Sequence, residues 1–187
     1  MTDSIEEISE KDLLGLAMQG DKEAYGALYQ LYLEKVYRYV YFKVGDKEDA
    51  EDITENVFIR TWTAIHQKKG HIVIENFKAW IYRAAHNLVI DHYRKKGSRQ
   101  EQEVVEDLQS EQESVEQIVE KEQTGRELYA AIQKLEERLQ QVIIMRFING
   151  YSHIETARII GIKPGHVRVL QHRALKQLQE LFVERDI

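Results

Sequence analysis

From Tyr25 onward the apolar positions step by three, four and one: Tyr25, Leu28, Tyr29, Tyr32, Val36, Tyr39 and Val40. That spacing draws a single stripe down one helix. Gly45-Asp46 stops it and caps the next helix, in which Ala50, Ile53, Val57, Thr61 and Ala64 share one face and Asp49, Asp52, Asn56 and Arg60 another. A third helix is predicted from about Asn76 to Lys96, with Phe77, Trp80, Ile81, Ala84 and Leu88 on its buried side. Between the second and third lies a loop, Gln67 to Glu75, which carries Gly70 and no helical period.

Near the C-terminus, NGYSHIETARIIGIKPGHVRVLQHRALKQL divides into helix, glycine turn and helix. Ser152 with Glu155 three residues on forms a capping box. Ala157 and Ile160 are expected to face inward, with Gly161 at the turn and Ile162 packed beneath it. Pro164 suits a first helical position, where its missing N–H is no loss. Val167, Leu170, Ala174, Leu178 and Leu181 make the buried stripe of the last helix, and His166, Arg168, Val169, His172, Arg173 and Lys176 the opposite arc.

The stretch GSRQEQEVVEDLQSEQESVEQIVEKEQT breaks this regularity. Rich in Glu and Gln and lacking any aromatic, it buries too little apolar surface to offset its ordering entropy. It reads as a linker whose end, from Ser114 and Gln117, turns helical. The boundaries fall near Gly97 and Thr124, leaving domains at 1–96 and 125–187.

Charge changes the picture once it is divided along the chain. The 187 residues carry a net charge of −6, with 43% hydrophobic residues, one proline and no cysteine. Residues 1–96 hold 14 basic and 16 acidic side chains, residues 97–124 hold 2 and 9, and residues 125–187 hold 10 and 7. The linker thus hides basic clusters at Lys78–Lys96 and Lys163–Lys176, and an acidic average does not exclude nucleic acid. As for its own role, the linker reads equally as a plain tether or as an acidic segment that repels DNA and folds back onto the basic faces. The absence of cysteine excludes disulfides, thiolate metal sites and a cysteine nucleophile. There is no signal peptide and no apolar run of the ~20 residues a membrane span needs. A soluble, cytoplasmic, all-α protein is expected, with no sensor module after the second domain.

Two polar faces invite a functional reading. Arg83, Asn87, Ile90 and Arg94 fall on one narrow stripe of the third helix, beside its apolar face, followed by Lys95 and Lys96. Arginines and an amide on a rigid edge suit phosphates and base edges. A solvated face ending in dipole-favoured cations explains the same residues. Phe77, Trp80, Tyr82 and Tyr93 serve either as core or as stacking platforms. On the last helix no acid stands between Lys163 and Lys176, which favours a DNA-binding helix-turn-helix over a hairpin used only for packing.

Catalytic patterns are missing. His86 and His92, like His166 and His172, are six apart and about 120° off one another on a helix. HExxH, a Walker A loop, a dinucleotide glycine turn and a GxSxG elbow do not occur in the sequence. No metal and no cofactor is called for.

In its order of segments the chain resembles the bacterial RNA polymerase sigma factors of the extracytoplasmic-function (ECF) type, in the sigma-70 family. GDKEAYGALYQLYLEKVYRYV resembles the opening helical segment and DAEDITENVFIRTW the segment that docks on the polymerase clamp. FKAWIYRAAHNLVIDHYRKK resembles the promoter-melting segment. LEERLQQVIIMRFINGYSHIETARIIGIKPGHVRVLQHRAL resembles the domain that reads the minus-thirty-five element. The resemblance implies two small helical domains on an acidic flexible linker, and a protein that binds core RNA polymerase and directs promoter recognition, melting and initiation without being an enzyme. Its implied clamp contacts are Asp49, Asp52, Glu55, Asn56 and Arg60. Arg83, Asn87, Ile90, Arg94 and Lys95, with the Gln67–Asn76 loop, would hold melted minus-ten bases; His166, Arg168, His172, Arg173 and Lys176 would hold the minus-thirty-five duplex. The implied partners are core polymerase, promoter DNA in duplex and melted form, and an anti-sigma factor. Glu136 stands where the family often has proline, Asn56 where it often has an acid, and Leu170-Gln171 where an Arg-Leu pair is common. Two other classes fit parts of the pattern: a stand-alone helix-turn-helix regulator and a helical protein-interaction module.

Overall fold

A computed structural model describes residues 9–67, 74–100 and 119–183. The stretch 101–118, which includes most of the acidic linker and its Ser114–Gln117 capping signal, lies outside the described residues, as do positions 68–73 of the Gln67–Asn76 loop. Every element described is a helix: α1 Glu10–Met18, α2 Lys22–Val44, α3 Lys47–Gln67, α4 Phe77–Gln100, α5 Val119–Gln133, α6 Glu137–Ile143, a π-helical turn Ile144–Ile148, α7 His153–Ile160 and α8 Pro164–Val183. None of these helices is long and apolar enough to cross a membrane. The chain divides into two compact units, Met1–Leu88 and Val89–Ile187.

The first unit is built on α2. Leu28, Tyr32, Val36, Tyr39 and Val40 are buried along the stripe the sequence marks. α1, whose N-terminus is capped by Ser9, packs Leu13, Leu14 and Ala17 onto the unit. Gly45 ends α2 at φ 78°, a left-handed conformation that favours glycine. Asp46 then accepts the Asp49 N–H at 2.8 Å and starts α3. Aromatic rings join α4 to α2: Phe77 meets Tyr32 edge-on at 5.4 Å, and Tyr82 meets Tyr39 at 5.4 Å and 84°.

The buried face of α4 departs from the expectation. Phe77, Ile81 and Leu88 are buried as predicted, but Ala79, Tyr82, Ala85 and Val89 join them, while Trp80 and Ala84 are only half-buried. The apolar band is therefore wider and rotated from the predicted line. Phe77 and Tyr82, at 1% and 2% exposure, belong to the core; Trp80 stays half-buried and Tyr93 is exposed.

Tyr25 ties α2 to α3 by donating its phenol to the Phe58 carbonyl at 2.6 Å, while its ring lies 4.9 Å from that of Trp62. Burial pushes this phenol above the usual tyrosine range. The unfolded chain therefore sheds its proton first, so the stabilisation is complete below about pH 10 and declines as the pH rises further. Tyr25→Phe should cost ~1 kcal/mol at neutral pH and flatten the alkaline decline, both read from urea unfolding at two pH values.

In the second unit α8 packs against α5, α6 and α7. Ile132, Leu139, Val142, Ile144 and Val167 are fully enclosed. After α6 the hydrogen bonding widens, with Asn149 N–H reaching the Ile144 carbonyl at 2.9 Å and Tyr151 N–H the Met145 carbonyl at 3.0 Å. This π turn, absent from the sequence reading, brings Arg146 across to α8.

Candidate nucleic-acid interface

Three exposed faces carry the residues singled out by the sequence. On α3, burial of Ala50, Ile53, Val57 and Thr61 turns Asp52, Asn56 and Arg60 outward, with Asp49 half-buried among them. Asn56 Nδ2 donates to the Asp52 backbone carbonyl at 2.8 Å, leaving its own side-chain oxygen for an outside donor. Glu55 is exposed too, but it lies about 100° round the helix from Asn56. Ile59, which the sequence reading missed, sits about 20° from Asp52 on the same face and is 52% exposed. The available signal was an isoleucine off the buried stripe. A large apolar side chain amid carboxylates is unsuited to binding phosphate, which both the apolar surface and the acids disfavour.

On α4, Arg83, Asn87, Ile90, Arg94 and Lys95 are all exposed. The first four fall within about 60° of one another. Ile81, Tyr82, Ala85, Leu88 and Val89 are buried across the helix, so the stripe stands opposite the apolar face and not beside it as predicted. Arg94 has an ion-pair partner, Asp91 at 3.4 Å. Asn76 accepts the Ala79 N–H at 2.8 Å and so fixes the start of the helix.

The third face is built by local signals. Ser152 accepts the Glu155 N–H at 3.2 Å and donates its own N–H to the Glu155 carboxylate at 2.9 Å. Gly161 turns the chain at φ 72°, and the Ile162 N–H closes back on the Ala157 carbonyl at 3.0 Å. The inward residues of α7 are Thr156, Ala157 and Ile159; Ile160, expected in the core, is half-buried because the helix phase selects its neighbour. Pro164 opens α8, and Val167, Leu170, Ala174 and Leu178 are buried along it. His166, Arg168, His172, Arg173 and Lys176 are exposed as expected. Helical spacing puts His166 and Arg173 on one flank and Arg168 and His172 on the other, with Val169 and Lys176 between. Val169, 55% exposed, gives the middle of this cationic arc an apolar point suited to a thymine methyl.

The same two parts appear when the chain is compared with known proteins. Residues 28–99 match the family model Sigma-70 region 2, and residues 125–178 match Sigma-70, region 4. The ECF RNA polymerase sigma factor BldN of Streptomyces coelicolor is 34% identical over 174 residues, spanning 91% of this chain and 64% of that protein. The chain belongs to the ECF branch of the sigma-70 family. SigX of Bacillus subtilis, another ECF sigma factor, is 29% identical over 165 residues, 85% of this chain and 84% of that one. The solved structure of CnrH in complex with the cytosolic domain of CnrY has the same fold, with a TM-score of 0.70 at 20% identity, covering 94% of this chain and 97% of that one. In this sigma factor α2, α3 and α4 fall in region 2, and α6, α7 and α8 in region 4. No group of acids and histidines that could hold a metal ion occurs among the described residues.

Proposed function

We propose that this ECF sigma factor is the promoter-specificity subunit of RNA polymerase, and that its three exposed faces divide the work. The observation that carries the reading is the occurrence of both sigma regions in one chain, in family order, each presenting its own polar face. Core polymerase binds on α3, at Asp49, Asp52, Asn56 and Arg60, with Glu55 at the border and Ile59 within. Melted minus-ten bases are held by Arg83, Asn87, Ile90, Arg94 and Lys95, together with the Gln67–Asn76 loop. Splayed bases read on their edges and faces are the usual mode for single strands. The minus-thirty-five duplex is held by His166, Arg168, His172, Arg173 and Lys176. Binding energy for the unpaired strand drives opening, and the polymerase supplies the chemistry. The working domains are residues 1–96 and 125–187, and the acidic 97–124 segment tethers them. The site of action is the cytoplasm, where core polymerase is found.

An anti-sigma factor is the third partner we propose. The like-folded RpoE of Bartonella quintana has been solved with the anti-sigma factor NepR, at 19% identity and a TM-score of 0.60, a likeness of fold alone.

Transcription of genomic DNA by core polymerase with and without this chain, followed by start-site mapping, tests the function. The expected result is a set of new starts sharing an upstream element. Starts unchanged from core alone, with operator binding by the chain by itself, would replace this reading with a stand-alone regulator.

On α8, Arg168→Ala and Lys176→Ala in the reconstituted enzyme should each weaken duplex binding and lower the slope of log affinity against log salt by about one. Lys176 gives up little in the exchange, because its 3.8 Å pair with Glu180 is exposed and worth ~0–1 kcal/mol. Relaxed preference at one base pair would make either residue a base reader instead.

A further inference from the structure

A cleft of about 450 Å3 runs along α8 beside the start of α7. Arg168, Gln171, His172, Lys176 and Gln179 line it from α8, and His153 from the first position of α7. Among the described residues, no carboxylate lines the cleft. The nearest acid paired to it is Glu180, at 3.8 Å from Lys176.

Within this cleft Gln171 has a fixed chemistry. Arg146, from the π turn, donates Nε–H to Gln171 Oε1 at 3.0 Å, and the same guanidinium donates to the Tyr151 carbonyl. A guanidinium has five donors and no acceptor, so the Gln171 atom it meets has to be the oxygen. Flipping the amide would set N–H against N–H. The remaining –NH2 makes no hydrogen bond to any described residue, and a cation behind the carbonyl strengthens it as a donor. Gln171 lies about 160° round α8 from Val169, the middle of the exposed arc. It is about 60° from Arg168, and the two line the cleft together on that side of the helix, away from the residues that would face base edges.

We propose that the cleft seats one DNA backbone phosphate, with Gln171 donating to it beside Arg168 and Lys176, and with Arg146 as the positioning residue that fixes the amide. The proposal rests on the reading of α8 as the minus-thirty-five duplex helix and adds to it two residues, Arg146 and Gln171, outside the exposed arc. His153, from the neighbouring helix, closes the cleft on its other side.

The test uses enzyme reconstituted from the full chain and core polymerase, with a promoter duplex obtained by start-site mapping. Neutral methylphosphonates replace the phosphates one at a time through the minus-thirty-five element. Gln171→Leu should lower affinity about tenfold, the worth of a hydrogen bond to a charged group. Gln171→Glu should lower it further, because a carboxylate keeps Arg146 but repels phosphate, while its thermal unfolding stays at or above the parent's. One methylphosphonate should weaken the parent by more than it weakens Gln171→Leu, which has already lost the amide's share of that contact and keeps those of Arg168 and Lys176. Arg146→Lys should retain that coupling, and Arg146→Met should lose it. If every methylphosphonate weakens Gln171→Leu as much as it weakens the parent, or if the loss appears only at one base-pair substitution, the phosphate seat is overturned. Coupling that survives in Arg146→Met overturns the positioning role. A parent enzyme that binds no better than core alone overturns the reading of α8 and the proposal with it; normal parent binding without the coupling overturns the proposal alone.

Discussion

Asp52→Arg should abolish association with core RNA polymerase while the circular dichroism of the chain stays at the parent value. The side chain is exposed at the centre of the outward face of α3, between Ile59 and Asn56. It makes no ion pair among the described residues, so reversal disturbs nothing in the fold. At the docked face the new cation meets whatever basic groups the carboxylate had engaged. Truncating one member of a buried charge pair costs ~2–5 kcal/mol, a hundredfold or more in affinity near the middle of that range, and reversal adds repulsion. Glu55→Arg should lose less, since that residue stands at the border of the face. Titration of labelled chain with core polymerase measures both. Parent-like affinity for Asp52→Arg takes this residue out of the interface.

Phe77→Ala has the largest expected effect on stability. Phe77 is the first residue of α4, 1% exposed, with its ring edge-on to Tyr32 and 6.3 Å from Trp80. Removing a buried phenylalanine ring costs ~3–5 kcal/mol, a large part of the ~5–15 kcal/mol that holds a domain folded. The cavity opens where α4 joins α2, so the helix that carries Arg83 and Asn87 loses its anchor. Urea unfolding should show the loss directly, and promoter opening followed by permanganate reactivity should fail. Phe77→Leu refills most of the volume and should recover both. A midpoint for Phe77→Ala within ~0.5 kcal/mol of the parent, the range of a surface change, would remove the ring from the core of the unit.

The parts of the fold that could be read from sequence are those whose cause is local. Gly45-Asp46, Ser152 with Glu155, Gly161 and Pro164 each act within four residues, and each stands where the spacing put it. The helical period likewise marked the buried lines of α2, α3 and α8. Phase went wrong where apolar residues crowd. Ile159 and Ile160 are adjacent and alike, and only the turn at Gly161 decides which is enclosed. On α4 the sequence offers Trp80 or Tyr82 to the core, and the rings of Tyr39 and Phe77 settle the choice. Contacts between distant residues left no local trace: Tyr25 on the Phe58 carbonyl and Arg146 on Gln171. Nor did the π turn, which sits in an apolar run broken only by Arg146. Of the candidate faces, the cationic arc of α8 was plain because charge and period agree there. Ile59 was missed because the acids around it drew attention to charge alone.

The π turn fixes how many residues the second unit can have between α6 and α7. A five-residue reach winds the chain less per residue than an α turn does. Rewinding that stretch at α pitch would swing the residues after it by a large part of the ~100° that one position represents. Arg146 would then face away from Tyr151 or from Gln171, but could not meet both. Deleting one residue between Ile144 and Ile148 is therefore unlike trimming a surface loop: it leaves composition and hydrophobicity almost unchanged and alters only phase. Length here is constrained by the architecture, and among homologous chains gaps in this stretch should be rarer than substitutions.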